Sequence, residues 1–421
     1  MGLLAENGPD WVAVDLAVQR AGMVFVPLPG FFTLTQSTHA VAATGMDRLF
    51  CDAPAVARAL GFEPAGDLDG LPWYRRTARE RTAPSPASKV TFTSGTTGAP
   101  KGVPLTAAQQ WAVAGSLAEA ARAVGIRRHL CLLPLAILLE NVAGVYAAQR
   151  AGAQCWLPPL AETGVRGASG FDAGACLAAI EACEAHSVIV LPQMLLALTS
   201  TLEGGARRPV SLRFVAVGGA KVSPALLARA RRAGLPVYEG YGLSECASVV
   251  ALNLPGADRA GSVGRPLPHA KVEIRNHEIF VDSGSGYLAT GDLGRLDEAG
   301  FLYIEGRRKH LLITSYGRNV SPEWPESELL AGNAIAQAAV FGEARPQLCA
   351  LLVPAASDAT DASLAAEVES ANARLPEYAR IGRWLRAETP FTPRNGFATA
   401  NGRLRRDALW EAYGARLDAL F

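Results

Sequence analysis

Alanine-rich stretches with a helical period alternate with short β-branched runs through the first half of the chain, and that rhythm restricts it to an α/β architecture. Residues 11–22 read as a helix before the run MVFVPL at 23–28. Residues 107–124 read as another, followed by an apolar strand at 130–135, and a third at 173–186 leads into strands at 187–191 and 213–217. Strands separated by helices call for largely parallel sheets covered by those helices. After residue 254 the pattern changes, since 271–275, 278–281 and 300–304 are short alternating segments between turn residues. They predict a small antiparallel or barrel-like subdomain. From residue 311 to the end the chain reads as a separate small α/β domain, with strands at 338–341 and 349–353. A chain of 421 residues is too long for one compact core, which agrees with this division.

The stretch TFTSGTTGAPKGVPLT at 91–106 lies between a strand-like and a helix-like run. It has the chemistry of a phosphate grip. The hydroxyls of Thr93, Ser94, Thr96 and Thr97 can donate to phosphate oxygens, Gly95 and Gly98 let the backbone come close, and Lys101 adds a mobile positive charge. The common nucleotide loop GxxxxGK[ST] is excluded, because the lysine here stands in Pro100-Lys101-Gly102. A solvent loop rich in glycine and hydroxyls remains the ordinary alternative.

Charge and cysteine content narrow the classes. The formal net charge of +1 gives no reason to propose nucleic acid or an anionic membrane as partner. The 7 cysteines are scattered, odd in number and without a CxxC, which argues against a disulfide framework and a zinc site and suits a reducing cytoplasm. No apolar run reaches the roughly 18 to 20 residues of a membrane span. The N-terminus has no basic stretch before a long apolar core, so it is not read as a secretory signal.

Other segments carry polar groups at turn positions. VGGAK at 217–221 ends a strand with Gly218 and Gly219, permitting backbone contact with a flat ligand; a tight strand-to-helix turn explains it equally. YGLSE at 241–245 gathers an aromatic face, a hydroxyl and a carboxylate, as a nucleoside triphosphate with Mg²⁺ would need. TGDLG at 290–294 offers Asp292, which can accept from vicinal ribose hydroxyls or simply cap its own turn. In GRRK at 306–309, Arg307 is a rigid fork for ribose or phosphate oxygens, or a solvated arginine before a domain joint.

Taken together, the order and spacing of these blocks resemble the adenylate-forming superfamily, which includes acyl-CoA synthetases, aryl-CoA ligases, peptide-synthetase adenylation domains and firefly luciferase. The resemblance spans nearly the whole chain. It implies an adenylation domain at 1–308 and a small mobile lid domain at 309–421. It also implies a two-step reaction in which a carboxylic acid attacks the α-phosphate of MgATP to give an acyl-adenylate and pyrophosphate. A thiol, from coenzyme A or a carrier protein's phosphopantetheine, then displaces AMP. On this reading Lys101 and the neighbouring hydroxyls hold the β- and γ-phosphates, Glu245 holds Mg²⁺ and Ser244 stands beside it. Tyr241 and Gly242 flank the adenine, Gly219 and Ala220 line its other side, Asp292 and Arg307 take the ribose, and Lys309 is the hinge. Loop 315–320 would swing towards the thiol.

The closing segment FTPRNGFATANGRLRR at 391–406 resembles that of long-chain acyl-CoA synthetases, but Arg403 stands where the family has a catalytic lysine. An arginine keeps the charge and clamps two oxygens, yet a planar fork is not a point ammonium. Either the enzyme works with a modified cation, or the protein adenylates weakly and binds nucleotide or acyl-adenylate. Family members carry a longer stretch before the strand at 2–5, so the chain looks shortened there, and a homodimer could cover the edge. For the acid, the expected wall of Ile137, Leu138, Val142 and Gly218 is apolar, which suits a fatty or aromatic substrate. Glu140 within it is expected to cap a helix or face solvent, with contact to a polar substituent of the substrate as the alternative. An amide-forming or N-activating ligase on the same fold is the alternative.

Overall fold

The computed structural model describes residues 1–77, 87–93, 100–166, 170–399 and 402–420. The helix–strand rhythm produces two sheets in the N-terminal part. The first has the strand Gly2–Leu4 between Val26–Pro27 and Arg48–Cys51, all parallel, and adds Leu71–Arg75 and Glu63–Leu68 antiparallel. The second has seven strands. Gln154–Trp156, Arg128–Leu130, Ser187–Val190, Phe214–Val217 and Val237–Leu243 run parallel, and Ser248–Leu252 and Arg265–Pro266 close the edge antiparallel. Helices Ala173–Ala182, Pro192–Glu203 and Pro224–Arg232 pack on one face. Ala107–Val124, its start fixed by a Thr106/Gln109 capping box, lies over the other with a π-helix at Leu139–Tyr146. The apolar run 130–135 is strand only as far as Leu130, and the helix from Ala173 stops at Ala182.

The phosphate segment forms an antiparallel hairpin of Lys89–Thr93 and Lys101–Leu105, with Thr93 opposite Lys101. Its first residue ties it to the body of the protein. Lys89 is fully buried, bridges to Phe25 and donates to Asp15 Oδ2 at 2.9 Å and to Tyr146 Oη at 3.0 Å. Asn141 also accepts from it, and its ammonium sits 4.8 Å from the Tyr146 ring centre and 5.2 Å from that of Phe25. Burial pulls the Lys89 ammonium below its ordinary value, against the upward pull of Asp15. One network thus joins the N-terminal helix Pro9–Arg20, the hairpin and the π-helix.

The β-rich part is a four-stranded antiparallel sheet of Lys271–Arg275, Glu278–Asp282, Tyr287–Leu296 and Leu302–Arg307. In the C-terminal part, Ile335–Phe341, Leu348–Pro354 and Ile381–Arg386 form a sheet between two apolar cores, one with helix Asp361–Asn372 and one with Arg406–Asp418. Polar contacts dock this part on the helices at 192–203 and 224–232. Ser223 Oγ bonds Glu328 Oε2 at 3.0 Å, Arg374 meets the same carboxylate at 2.7 Å, and Ser200 Oγ bonds Asn333 at 2.8 Å. Among the described residues no helix is long and apolar enough to cross a membrane, and all 7 cysteines are free.

Candidate active site

In a parallel α/β sheet, ligands collect beyond the carboxyl ends of the strands. Here the strands 187–190, 214–217 and 237–243 all end at one cavity of about 1980 Å³, which is also lined by the hairpin, the β-rich sheet and the C-terminal domain. Gly218, Gly219 and Ala220 follow the strand Phe214–Val217 and put bare backbone on the lip. Gly219 has φ +85°, a conformation that disfavours any residue with a Cβ. Tyr241, Gly242, Ser244 and Glu245 line the cavity from the next strand and the short turn after it.

The β-rich sheet brings two distant segments together. Antiparallel pairing sets Asp292 opposite Arg307, and their side chains meet with Arg307 Nε 2.8 Å from Asp292 Oδ1. The Tyr241 hydroxyl donates to Asp292 Oδ2 at 2.6 Å from the neighbouring subdomain. Burial raises the Asp292 carboxyl above its ordinary value, while Arg307 and Tyr241 pull it down. Burial and the adjoining Asp292 push the Tyr241 hydroxyl well up, so it is a donor at neutral pH.

From the C-terminal domain comes Arg403. Water reaches it through the open cleft, yet protein surrounds it closely enough that desolvation and Arg307 lower its affinity for the proton, against the opposite pull of Asp292 and Glu245. Thr399 N donates to the Arg403 carbonyl at 2.7 Å, and Ala398 bridges antiparallel to Leu404 beside it. Arg406, three residues on, anchors the chain inside the domain: it meets Glu326 at 2.7 Å and the Val340 carbonyl at 3.1 Å. Lys101, Thr93 and Lys309 line the same cavity. Lys309 lies in a short 3-10 turn between two anchored neighbours, Arg308 on Glu278 at 2.7 Å and His310 on Glu323 at 2.5 Å. Ser94, Gly95, Thr96, Thr97 and Gly98 fall outside the described residues.

Two expectations for the apolar wall need correction. Ile137, Leu138 and Gly218 line the cavity, but Val142 is fully buried in the core beneath the N-terminal helix. The π-turn points Ala143, Gly144 and Ala147 at the cavity and Val142, Val145 and Tyr146 away from it. Glu140, expected at a cap or the surface, is 0% exposed. It accepts from the backbone N–H groups of Leu132 and Leu133 at 3.1 and 2.9 Å and faces His129 Nε2 at 2.9 Å. Room for it exists only because residue 144 is glycine: a Cβ there would lie 2.2 Å from Glu140 Oε1. With Cys131, His129 and Glu140 form a compact cluster, but its imidazole and carboxylate are hydrogen-bonded within the protein, and burial keeps the thiol protonated.

Sequence reading missed Lys221 and Glu239. Lys221 Nζ donates to the Ile304 carbonyl at 2.9 Å, linking the strand end to the β-rich sheet. Burial pushes the Glu239 carboxyl up to about 8, with Lys221 pulling the other way. The folded protein therefore holds a proton that the unfolded chain loses between pH 4.5 and about 8, and stability falls as pH rises through that window. Glu239→Gln is expected to flatten this loss, so the melting temperatures at pH 5 and pH 8 draw closer than in the parent; an unchanged gap would show that Glu239 does not cause it.

Comparison with known proteins gives the family. A family model described as AMP-binding enzyme matches residues 1–292, and one described as AMP-binding enzyme C-terminal domain matches residues 309–421. The chain belongs to the AMP-binding enzyme family. A long-chain-fatty-acid–CoA ligase of Mycobacterium bovis is 31% identical over 266 residues, 53% of this chain and 43% of that protein. This chain thus aligns with under half of that relative's length. A 2-succinylbenzoate–CoA ligase of Bacillus cereus is 27% identical over 383 residues, 81% of this chain and 75% of that one. Among solved structures, the o-succinylbenzoate CoA synthetase of Bacillus subtilis, in complex with its acyl-adenylate intermediate, matches with a TM-score of 0.74 at 24% identity. It covers 97% of this chain and 87% of that one, so this AMP-binding enzyme shares its fold.

Proposed function

We propose that this AMP-binding enzyme activates an apolar carboxylic acid with ATP and passes the acyl group to a thiol. The observation that carries the reading is the meeting of Tyr241, Asp292 and Arg307 with Arg403 of the other domain, across one cavity from Lys101 and Glu245. Asp292 accepts from the ribose hydroxyls and Arg307 steadies it. Tyr241 and the Gly219–Ala220 backbone sandwich the base. Lys101 and Thr93 hold the outer phosphates. The donors at that end, the Glu245 carboxylate and the hydroxyls of Ser244 and Thr93, are all oxygen and suit Mg²⁺, which Glu245 would hold and which would neutralise phosphate charge.

Chemistry then follows from placement. A carboxylate oxygen attacks the α-phosphorus, the bond to the bridging oxygen breaks and pyrophosphate leaves. Arg403 can span the carboxylate and the α-phosphate with its two-pronged head and stabilise charge as it shifts. In the second step a thiolate attacks the acyl carbonyl and AMP departs. Rotation about Lys309 would withdraw Arg403 and bring loop 315–320 in, which fits a hinge residue with both neighbours anchored. Coenzyme A is the acceptor favoured by the names of the relatives. A panel of carboxylic acids is expected to give acid-dependent pyrophosphate release, with thioester appearing when coenzyme A is added. Release without thioester, restored by a phosphopantetheinylated carrier protein or an amine, would change the acceptor; no release with any acid would reject the activity.

A further inference from the structure

The cavity continues past the carboxylate end as a seam between the seven-stranded sheet and the helices over it. Strand periodicity sets its floor, because side chains two residues apart share a face. Pairing puts Ser187 opposite both His129 and Phe214, and Ile189 opposite Ala216. Rows therefore descend from Leu191 and Gly218 at the mouth, through Ile189 and Ala216, to His129, Ser187 and Phe214 at the bottom. Small residues keep the roof high: Ala120 and Ala121 on one helix, Ala143 and Ala147 on the other. At about 3.3 Å per residue, the span from Gly218 to Phe214 is about 13 Å. That length takes an extended chain of about ten carbons with bonds of about 1.5 Å. A single aromatic ring would leave the bottom row empty.

The bottom row is polar. His129 and Ser187 are 4% and 7% exposed, and what exposure they have faces the seam. His129 Nδ1 lies 3.0 Å from Ser187 Oγ and Nε2 lies 2.9 Å from Glu140 Oε1, while Glu140 Oε2 is taken by two backbone N–H groups. Imidazole and carboxylate are thus used up. The Ser187 hydroxyl makes one hydrogen bond among the described residues and has capacity for another. If it donates to Nδ1 a lone pair is left over; if it accepts, its proton is. A hydroxyl on the ligand matches both states, since it donates and accepts.

We propose that the acid this chain activates is an elongated aliphatic carboxylic acid with a hydroxyl near its far end, its body filling the seam and its hydroxyl bonded to Ser187. The proposal rests on the acid-activating reading above. Pyrophosphate release is measured with decanoate, 10-hydroxydecanoate and benzoate. The hydroxylated acid is expected to exceed decanoate in kcat/KM by about tenfold, as one buried hydrogen bond allows, and both to exceed benzoate. In Ser187→Ala the ratio of the hydroxylated to the plain acid falls to about one, and Ser187→Thr restores part of it. Ala216→Phe, which fills the middle row, lowers activity with both ten-carbon acids more than with butyrate. Equal activity on decanoate and its hydroxylated form, faster turnover of benzoate, or a ratio unmoved by Ser187→Ala overturns the proposal. If no acid releases pyrophosphate, the activity fails, and calorimetric binding of the two ten-carbon acids to the parent and to Ser187→Ala decides the seam by the same ratio.

Discussion

Lys89→Met is expected to lower the unfolding free energy by about 3 to 5 kcal/mol, because removing one partner of a buried ion pair leaves the other charge uncompensated. Asp15 is 0% exposed and would keep the Gln19 and Asn141 amides, both at 2.9 Å, and the Tyr146 hydroxyl at 2.7 Å, but no cation. A urea titration followed by circular dichroism reads the loss. Pairing the change with Asp15→Leu should recover much of it, since a buried ion pair replaced by apolar groups of similar volume is often neutral. A single variant as stable as the parent would remove the pair from the account of stability. Because Lys89 begins the strand that ends at Thr93, the same variant should also weaken the hold on ATP.

Arg403→Ala should reduce acid-dependent pyrophosphate release by about 10²- to 10³-fold, the usual cost of deleting one donor aimed at transition-state charge. Thioester formation from a supplied acyl-adenylate should fall much less, because in that step Arg403 would be withdrawn. Arg403→Lys separates charge from shape: retained activity would mean a point ammonium suffices, and a deep loss would mean the planar fork is needed. Unchanged release with both variants would take Arg403 out of the mechanism.

Much of this was legible from residue order. The strand–helix rhythm and the turn-bounded segments after residue 254 yield the sheets, since both depend on local periodicity. Asp292 and Arg307 could be singled out as polar groups at turns, but that they face each other depends on pairing across a hairpin with a register shift at Leu293/Gly294. Val142 and Glu140 lie elsewhere than expected because the segment winds into a π-helix, whose wide turn decides which side chains face the cavity and was not legible in the sequence. His129 and Ser187 gave no signal at all. Ser187 is the one polar residue of an apolar strand and His129 follows Arg128 in a short one, and only sheet pairing shows that they are neighbours.

The hinge proposed at Lys309 would carry a thermodynamic consequence. Arg308 is paired within the N-terminal part and His310 within the C-terminal part, so a turn between them would break neither ion pair. The contacts at Ser223–Glu328 and Ser200–Asn333 that must be exchanged are polar groups that water can satisfy. Ala331 of the C-terminal part packs into the apolar core beside the seven-stranded sheet, so such a turn would uncover apolar surface as well, and its equilibrium would respond to both ionic strength and temperature. On the proposed reading the joint would be a balance set by salt, temperature and ligand, and the two halves of the reaction would be weighted against each other through it.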